Sequence, residues 1–272
     1  MTTSVVSLEL HEIEKLREET LEEARLIQSA MLPAEPVRTA NVGISHAFQP
    51  AAEVGGDFLD YFEMTDGTFG LYVGDVCGKG LPAAMYAALA VGTIRGVHKT
   101  GLPPEQVLST LNRRLMLRGA TRRHAAVQYA RFDPRTRLMQ IAGGGMPGPF
   151  HLSRSGCRAL EIRGIPPGLL DSAASYETSE IRLEAGESVL FFTDGLSDAF
   201  DASGESFGLE RLQEICETKF RSSETELLDE IFCAVSRFSR GQTQHDDMAA
   251  TVFSFREEEG RERASGSCIP IG

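Results

Sequence analysis

The first part of the chain combines one apolar stripe with dense charge of both signs. Between residues 7 and 31, apolar or small residues recur at steps of three and four, which is the spacing of one helix face. These positions are Ile13, Leu16, Thr20, Ala24, Ile27 and Met31. The other positions are mostly Glu, Arg and Lys, and Pro33 and Pro36 then stop the helix. The pattern predicts a long N-terminal helix that acts as a linker or binds a partner.

From about residue 42 the pattern changes to short apolar runs separated by turn residues, which indicates strands. Strands are predicted over 43–49, 58–64, 68–73, 125–132, 138–142, 150–152, 158–162, 176–183, 188–193 and 248–255. The Asp66-Gly67 pair predicts a hairpin turn between the second and third of them. Helices are predicted over 82–97, 104–117, 209–219 and 224–239. The first of these four is rich in alanine and nearly uncharged, which favours burial.

Many antiparallel strands with helices inserted in pairs predict a sheet-rich α+β domain with the helices packed outside. We expect a helical linker or dimerisation segment over 1–40, one large domain over 41–255, and a tail over 256–272. The tail is polar and rich in Glu and Gly, and it is predicted to be disordered.

The charge balance excludes several kinds of partner. The 27 basic and 39 acidic residues of the 272-residue chain give a net charge of −12, which argues against binding nucleic acid or an anionic membrane. No apolar run is long enough to cross a bilayer, and the first residues lack the pattern of a secretory signal. The five cysteines show no paired spacing, so we expect reduced thiols and a cytoplasmic protein.

Four segments place aspartates where a predicted strand meets a turn. They are residues 55–60, 74–80, 192–195 and 245–248. Each alone is an ordinary turn or cap, but strand ends of one domain can converge on one cleft. Clustered carboxylates repel one another unless cations neutralise them, and sites made only of oxygen ligands suit Mg²⁺ or Mn²⁺. Two such ions suit the hydrolysis of a phosphate ester.

These segments also carry a family resemblance. Gly-Gly-Asp-Phe-Leu-Asp at 55–60, Gly-Asp-Val-Cys-Gly-Lys-Gly at 74–80, Phe-Thr-Asp-Gly at 192–195 and Asp-Asp-Met at 246–248 stand in the order of the motifs of bacterial SpoIIE/RsbU-type serine phosphatases. Residues 24–33 also match the helix that introduces such domains. The chain therefore resembles the metal-dependent protein phosphatase (PPM, type 2C) family over about residues 20–255. The resemblance implies two stacked antiparallel sheets flanked by helices.

The resemblance also implies a site with two Mn²⁺ or Mg²⁺ ions. Asp57 and Asp75 would be the catalytic aspartates that bridge the metals, and the carbonyl of Val76 would add one oxygen. Asp194 and Asp246 would bind the other metal directly or through water.

Two further acids remain open. Asp247 directly follows Asp246, and neighbouring side chains on a strand point in opposite directions, so we expect only one of this pair to reach the metals and favour Asp246. Asp60 is a weaker candidate for a water-mediated or third-metal role.

The sequence departs from the family pattern at three places near the site. Ser197-Asp198 stands where relatives often carry Glu, Gly144-Gly145 replaces the usual Gly-His, and Cys77 stands near the place of a histidine in eukaryotic relatives. A histidine acid is therefore not available at position 77 to protonate the leaving serine.

We expect a serine/threonine phosphoprotein phosphatase that hydrolyses phosphoserine on a small regulatory protein by attack of metal-activated water. By kinship, the substrate would be an anti-sigma-factor antagonist, with an upstream activator protein and a homodimer formed through the N-terminal helix. The alternative is a non-catalytic regulator that keeps the fold and binds a partner. The presence of all four core aspartates favours the enzyme.

Overall fold

The computed structural model describes residues 2–98, 101–117, 123–170 and 175–256. The helices are α1 (Thr2–Ser29), α2 (Leu81–Val97), α3 (Pro104–Met116), α4 (Gly208–Thr218) and α5 (Glu224–Phe238). The strands are β1 (Val37–Arg38), β2 (Val42–Gln49), β3 (Phe58–Glu63), β4 (Phe69–Val76), β5 (Ala125–Asp133), β6 (Leu138–Gly144), β7 (Phe150–Ser153), β8 (Gly156–Ala159), β9 (Ser179–Arg182), β10 (Ser188–Phe192) and β11 (Met248–Phe255). A short 3₁₀ turn, Asp194–Leu196, follows β10.

The strands form two sheets in which every pairing is antiparallel. One sheet has the order β1-β2-β11-β10-β7-β8, and the other has the order β3-β4-β5-β6-β9. Apolar residues from the facing sides of both sheets form the central core, with Ile44 and Phe253 from the first sheet and Leu71 and Phe132 from the second. The ring of Phe132 meets that of Phe253 edge-on at 4.8 Å between centroids.

A helix pair covers the outer face of each sheet. The apolar sides of α2 and α3 pack on the five-stranded sheet around Tyr72 and Tyr129. The apolar sides of α4 and α5 pack on the six-stranded sheet around Phe150 and Phe192. The structure therefore has four layers, helix–sheet–sheet–helix, which confirms the predicted fold. The long N-terminal helix is also present and begins at Thr2.

Three strand predictions differ from the structure by three residues at one end, and the two-residue strand β1 was not predicted. The strand predicted over 158–162 lies instead at Gly156–Ala159, because Gly156 adopts a φ of 119° in the turn and Cys157 pairs with Leu152. The strand predicted over 176–183 pairs with β6 only over Ser179–Arg182. The strand predicted to end at residue 73 continues to Val76, because β5 runs beside it to the end.

The C-terminal end of the chain bears on the predicted tail. Of the tail predicted over 256–272, only Arg256 belongs to the described part, where it pairs with Glu224; the rest lies outside the described residues. None of the helices in the described ranges is long and apolar enough to cross a membrane.

Candidate functional site

The four aspartate-bearing segments meet at one edge of the two-sheet sandwich. Asp57 directly precedes β3, and Asp75 lies near the end of the neighbouring strand β4, where Phe58 pairs with Gly74. In the other sheet, β10 ends next to the beginning of β11. Asp194 follows β10, and the Asp246-Asp247 pair directly precedes β11. Each sheet thus contributes aspartates from two neighbouring strands to the same edge.

Asp57 is the most deeply buried acid of the cluster, with 2% of its surface exposed. Its Oδ2 accepts a hydrogen bond of 2.7 Å from the hydroxyl of Thr193, which belongs to the other sheet. The same hydroxyl accepts a hydrogen bond of 2.9 Å from the backbone N–H of Ala249. Burial, and then the charge of Asp75, raise the pKa of Asp57 well above its usual value. This carboxyl therefore favours its neutral form unless a positive charge lies close to it.

Asp75 shares a hydrogen bond with the carboxyl of Asp57 and lies within reach of the charges from the opposite sheet. Burial, followed by the charges of Asp194 and Asp246, raises the pKa of Asp75 to about 7. The sequence placed this residue after its strand, but it lies within β4 and pairs with Ala126. The sheet therefore holds its backbone rigidly.

Gly56 allows the loop before β3 to approach the oxygens of the second motif. A Cβ atom at this position would lie 2.7 Å from the carbonyl oxygen of Val76 and 3.2 Å from Oδ1 of Asp75. The first of these distances is too short for any side chain. The glycine thus brings the backbone against two oxygens that the sequence assigned to a metal.

Asp194 opens the 3₁₀ turn and reaches solvent at the rim of the cluster. Partial loss of hydration, followed by the charges of Asp198 and Asp246, raises its pKa. The backbone N–H of Asp198 donates a 2.7 Å hydrogen bond to the carbonyl of Asp194. Asp198, which the sequence analysis treated only as a departure from the family pattern, is therefore part of this acidic rim.

Asp246 and Asp247 have different surroundings. The carboxylate of Asp247 is buried and accepts hydrogen bonds from the backbone N–H groups of Ala51, at 2.8 Å, and Gly56, at 2.6 Å. The carboxylate of Asp246 is half exposed, and its charge acts on both Asp75 and Asp194. The two neighbours thus differ in their contacts, although the charge of Asp247 also acts on Asp57 and Asp75. Asp247 supports a loop, whereas Asp246 faces the open side of the cluster.

Lys79 is a cation at the open side that sequence analysis did not place in the site. Its ammonium donates a hydrogen bond to the carbonyl of His245 and lies 3.6 Å from Oδ2 of Asp246. Its side chain is 60% exposed, so it remains accessible to a ligand that approaches from solvent. The Gly-Lys-Gly run therefore joins the second motif to the fourth.

Asp60 lies in a different network from the other acids of the four segments. Its carboxylate accepts hydrogen bonds from Arg95 at 2.7 Å, from the backbone of Tyr61 at 2.9 Å and from the hydroxyl of Tyr72 at 3.3 Å. Arg95 also donates to the carbonyl of Met31, just beyond α1. Asp60 thus holds Arg95 in place, and Arg95 ties α2 to the end of the N-terminal helix.

Gln28 connects α1 directly to the loop that carries the first motif. Its side chain is buried, and its amide makes two hydrogen bonds with the backbone of Gly55. Sequence analysis named Gln28 only as part of the helix that introduces the domain. The sequence pattern does not show that the Gln28 side chain points into the protein, because that depends on how the helix packs.

The chemistry of the cluster fits hard cations. Six carboxylates, including that of Asp198, and one backbone carbonyl gather at one edge, and three of the carboxyls have raised pKa values because they are crowded or buried. Bound cations would remove this electrostatic cost. Across the ranges that the structure describes, no three His, Cys, Asp or Glu side chains already form a metal cage. Asp57 and Asp75 instead share a hydrogen bond, and Asp246 faces Lys79.

Comparison with solved structures identifies the architecture. The SiaA-PP2C domain of Pseudomonas aeruginosa superimposes with a TM-score of 0.80 at 23% identity, covering 89% of this chain and 98% of that domain. The phosphatase domain of the cell-fate determinant SpoIIE from Bacillus subtilis gives a TM-score of 0.69 at 18% identity, with 80% and 63% covered. The chain therefore has the fold class of these PP2C domains.

Within that class, the chain belongs to the SpoIIE family, since the model for stage II sporulation protein E matches residues 65–256. Its curated relatives include protein IcfG of Synechocystis, 27% identical over 84% of this chain and 40% of IcfG. They also include the phosphoserine phosphatase RsbU of Bacillus subtilis, 25% identical over 85% of this chain and 69% of RsbU. The chain thus spans less than half the length of IcfG and about two thirds of RsbU.

Proposed function

We propose that this chain is a metal-dependent serine/threonine phosphoprotein phosphatase that hydrolyses phosphoserine on a small regulatory protein. The observation that carries the proposal is the convergence of aspartates from both sheets on one edge, where their charges act on one another. A purely structural set of aspartates would pair with cations or caps, as Asp60 does with Arg95. The names of its relatives RsbU and RsbP, both phosphoserine phosphatases, support the same reaction.

The site would hold two Mn²⁺ or Mg²⁺ ions. Asp57, Asp75 and the carbonyl of Val76 would bind them from one sheet, and Asp194 and Asp246 from the other, directly or through water. Such ions, when bound, supply hydroxide at neutral pH and neutralise the charge of the phosphoryl group. We assign Asp247 to the support of the loop at Gly56, because two backbone N–H groups already occupy its carboxylate.

The other residues of the site would position these groups. Thr193 donates to Asp57 and fixes the position of one of its oxygens. Lys79 is placed to attract the phosphate of an incoming substrate, because it is the exposed cation beside Asp246. Neither residue changes the chemistry of the reaction, but both would limit the geometries that a phosphate can adopt.

The partners follow from kinship and from the exposed surface of α1. We infer that the substrate is a phosphorylated anti-sigma-factor antagonist and that an upstream protein activates the enzyme. Ile13 and Leu16 of α1 are each 62% exposed, and Ile27 is 61% exposed. Three large apolar side chains on one helix favour a homodimer formed through α1.

The decisive experiment measures phosphate release from a phosphoserine-containing antagonist protein while the Mn²⁺ concentration is varied. We expect release that saturates with Mn²⁺, disappears with chelator and is lost in Asp75→Asn. The same titration is followed by calorimetry, so that metal binding is observed independently of turnover. Binding of the phosphoprotein without any phosphate release at saturating Mn²⁺ would instead identify a non-catalytic regulator.

A further inference from the structure

A groove with a volume of about 310 Å³ opens beside the aspartate cluster. Its walls come from the segment between α5 and β11 and from the segment after the 3₁₀ turn. Val235 and Met248 form part of an apolar floor, and Phe200 stands at the side with 38% of its surface exposed. Asp246 and Gly195 line the groove and also belong to two of the four site segments. The groove is therefore continuous with the proposed catalytic site.

The groove carries polar groups that the protein itself does not use. Arg240 lies at its wall and is exposed, and no ion pair or hydrogen bond to it is found within the described ranges. The hydroxyl of Ser239 is buried and has no partner among the same residues. Arg211 differs in this respect, because it pairs with Glu205. Arg240 is available to an acidic group from outside.

Phe200 gives the groove a fixed apolar wall. Its ring meets the ring of His245 edge-on, with 5.8 Å between centroids, and its backbone forms a bridge with Ser206. The ring is thus held on two sides while its remaining surface stays in solvent. An exposed aromatic ring beside an unpaired arginine is typical of the centre of a recognition site.

We propose that this groove binds the polypeptide that flanks the phosphoserine of the substrate, with an apolar side chain against Phe200 and an acidic side chain at Arg240. The inference rests on the proposed function, because it takes the aspartate edge as the place of the phosphate. The groove begins at Asp246, so a chain with its phosphoserine at that edge enters the groove within a few residues, at about 3.3 Å per residue. The carboxyl end of α5 lies next to Arg240 and would repel an acid. Selection of an acidic side chain therefore depends on Arg240 itself.

The test uses two series of phosphoserine peptides presented to the full chain with saturating Mn²⁺. One series carries a single Glu at each of the five positions on either side of the phosphoserine, and the other carries Lys at the same positions. For the wild type we expect kcat/KM to favour Glu over Lys at one or two positions, by roughly three- to tenfold, as for a partly exposed ion pair. Arg240→Glu should reverse the preference at those same positions. The reversal also shows that the variant is folded, because it gains activity on Lys peptides.

The apolar contact is tested in the same way. In a third series of peptides, each flanking position in turn carries Leu or Ala. The wild type should prefer Leu at one position, and Phe200→Ala should lose that preference. Arg221→Glu, at the other end of α5, and Leu209→Ala, an exposed apolar residue of α4, are the matched controls and should keep both preferences. If Arg240→Glu retains the wild-type preference, or if Arg221→Glu changes it as much, the groove does not recognise the substrate.

Failure of the groove proposal can be told apart from failure of the proposed function. The wild type is assayed in parallel with p-nitrophenyl phosphate, which has no flanking residues. Hydrolysis of this ester without any sequence preference among the peptides overturns the groove proposal and leaves the phosphatase intact. No hydrolysis of either kind of substrate at saturating Mn²⁺ overturns the proposed function, and the groove proposal with it.

Discussion

The side-chain amide of Gln28 pairs with the backbone of Gly55 as one strand pairs with another. Its Nε2 donates to the Gly55 carbonyl at 2.7 Å, and its Oε1 accepts from the Gly55 N–H at 3.0 Å. The next residue, Gly56, lies against the Val76 carbonyl and the Asp75 carboxylate. α1 therefore holds the loop that shapes the aspartate edge, while Ile13 and Leu16, farther along the same helix, remain exposed. Any partner bound to that exposed surface acts on a helix that touches the site.

Gln28→Leu should weaken metal binding without unfolding the protein. Leucine keeps the volume of the side chain but leaves the donor and acceptor of Gly55 unpaired, which costs about 1–3 kcal/mol for each buried group. We expect the Mn²⁺ concentration for half-maximal activity to rise by roughly tenfold or more, the fold-change that 1.4 kcal/mol represents. Gln140→Leu is the matched control, since Gln140 bonds only to the exposed Glu180. Equal Mn²⁺ dependence in the two variants would contradict the role of Gln28.

Asp75→Asn should remove activity and stabilise the metal-free protein at high pH. The pKa of Asp75 is about 7 in the folded state and near 3.8 when unfolded, so the folded state binds this proton more tightly. The metal-free wild type therefore loses stability as the pH rises from about 4 to about 7. Asparagine has no charge to lose, so its advantage in melting temperature should be larger at pH 8 than at pH 5.

The measurement is a melting curve at both pH values after treatment with chelator. For a domain of this size, each kcal/mol corresponds to roughly 2–4 °C. Addition of Mn²⁺ should raise the melting temperature of the wild type at pH 8 and have little effect on Asp75→Asn. A variant that melts lower than the wild type at pH 8, or that still responds to Mn²⁺, would show that Asp75 lies outside the metal site.

Asp246→Ala should mainly impair metal binding, whereas Asp247→Ala should mainly lower stability. The carboxylate of Asp246 accepts a hydrogen bond from the backbone N–H of Asp247, pairs with the exposed Lys79, and acts on Asp75 by its charge. Its loss should therefore reduce metal affinity and activity with little change in melting temperature. Asp247 accepts from two backbone N–H groups, so its loss should lower stability by about 1–3 kcal/mol. Calorimetric Mn²⁺ titration and melting curves separate the two effects. A larger loss of metal affinity in Asp247→Ala would reverse our assignment of the pair.

Charges placed on the exposed face of α1 should abolish self-association. In the double variant Ile13→Asp, Leu16→Asp, two buried acids would face each other across a dimer interface, which is strongly unfavourable. Lys15→Asp, on another face of the same turn, is the control and should leave the mass in light scattering unchanged. Deletion of residues 1–20 should also reduce the mass and alter activity while the catalytic domain stays folded. An unchanged mass in both the double variant and the deletion would exclude a dimer through α1.

The arrangement of elements was largely predictable because the local signals were strong. β11, Met248–Phe255, matches its prediction to the residue, since a polar turn ends where an apolar run begins. Such local patterns could not fix β8 and β9, whose bounds depend on which partner strand lies beside them. The end of β4 was missed for the same reason, because Asp75 and Val76 are strand residues only through their pairing with Ala126 and Ala125.

The sequence indicated which segments carry the candidate site but not what each of their side chains contacts. The motif order indicated which aspartates gather, but nothing in the sequence shows that Asp247 supports a loop or that Thr193 bonds to Asp57. Those contacts join residues more than 130 positions apart. Lys79 illustrates the same limit, since its role depends on His245 and Asp246, which only the packing of the two sheets brings near.

The central position of β11 determines when a newly made molecule can assemble the proposed site. This strand lies between β2 and β10 in its sheet and directly follows the last aspartates of the site. The ribosome delivers it last among the described strands, so this sheet stays split between β2 and β10 until then. A nascent chain therefore cannot hold Asp246 and Asp247 beside Asp194 before β11 has paired, and the proposed site is the last part of the fold to assemble.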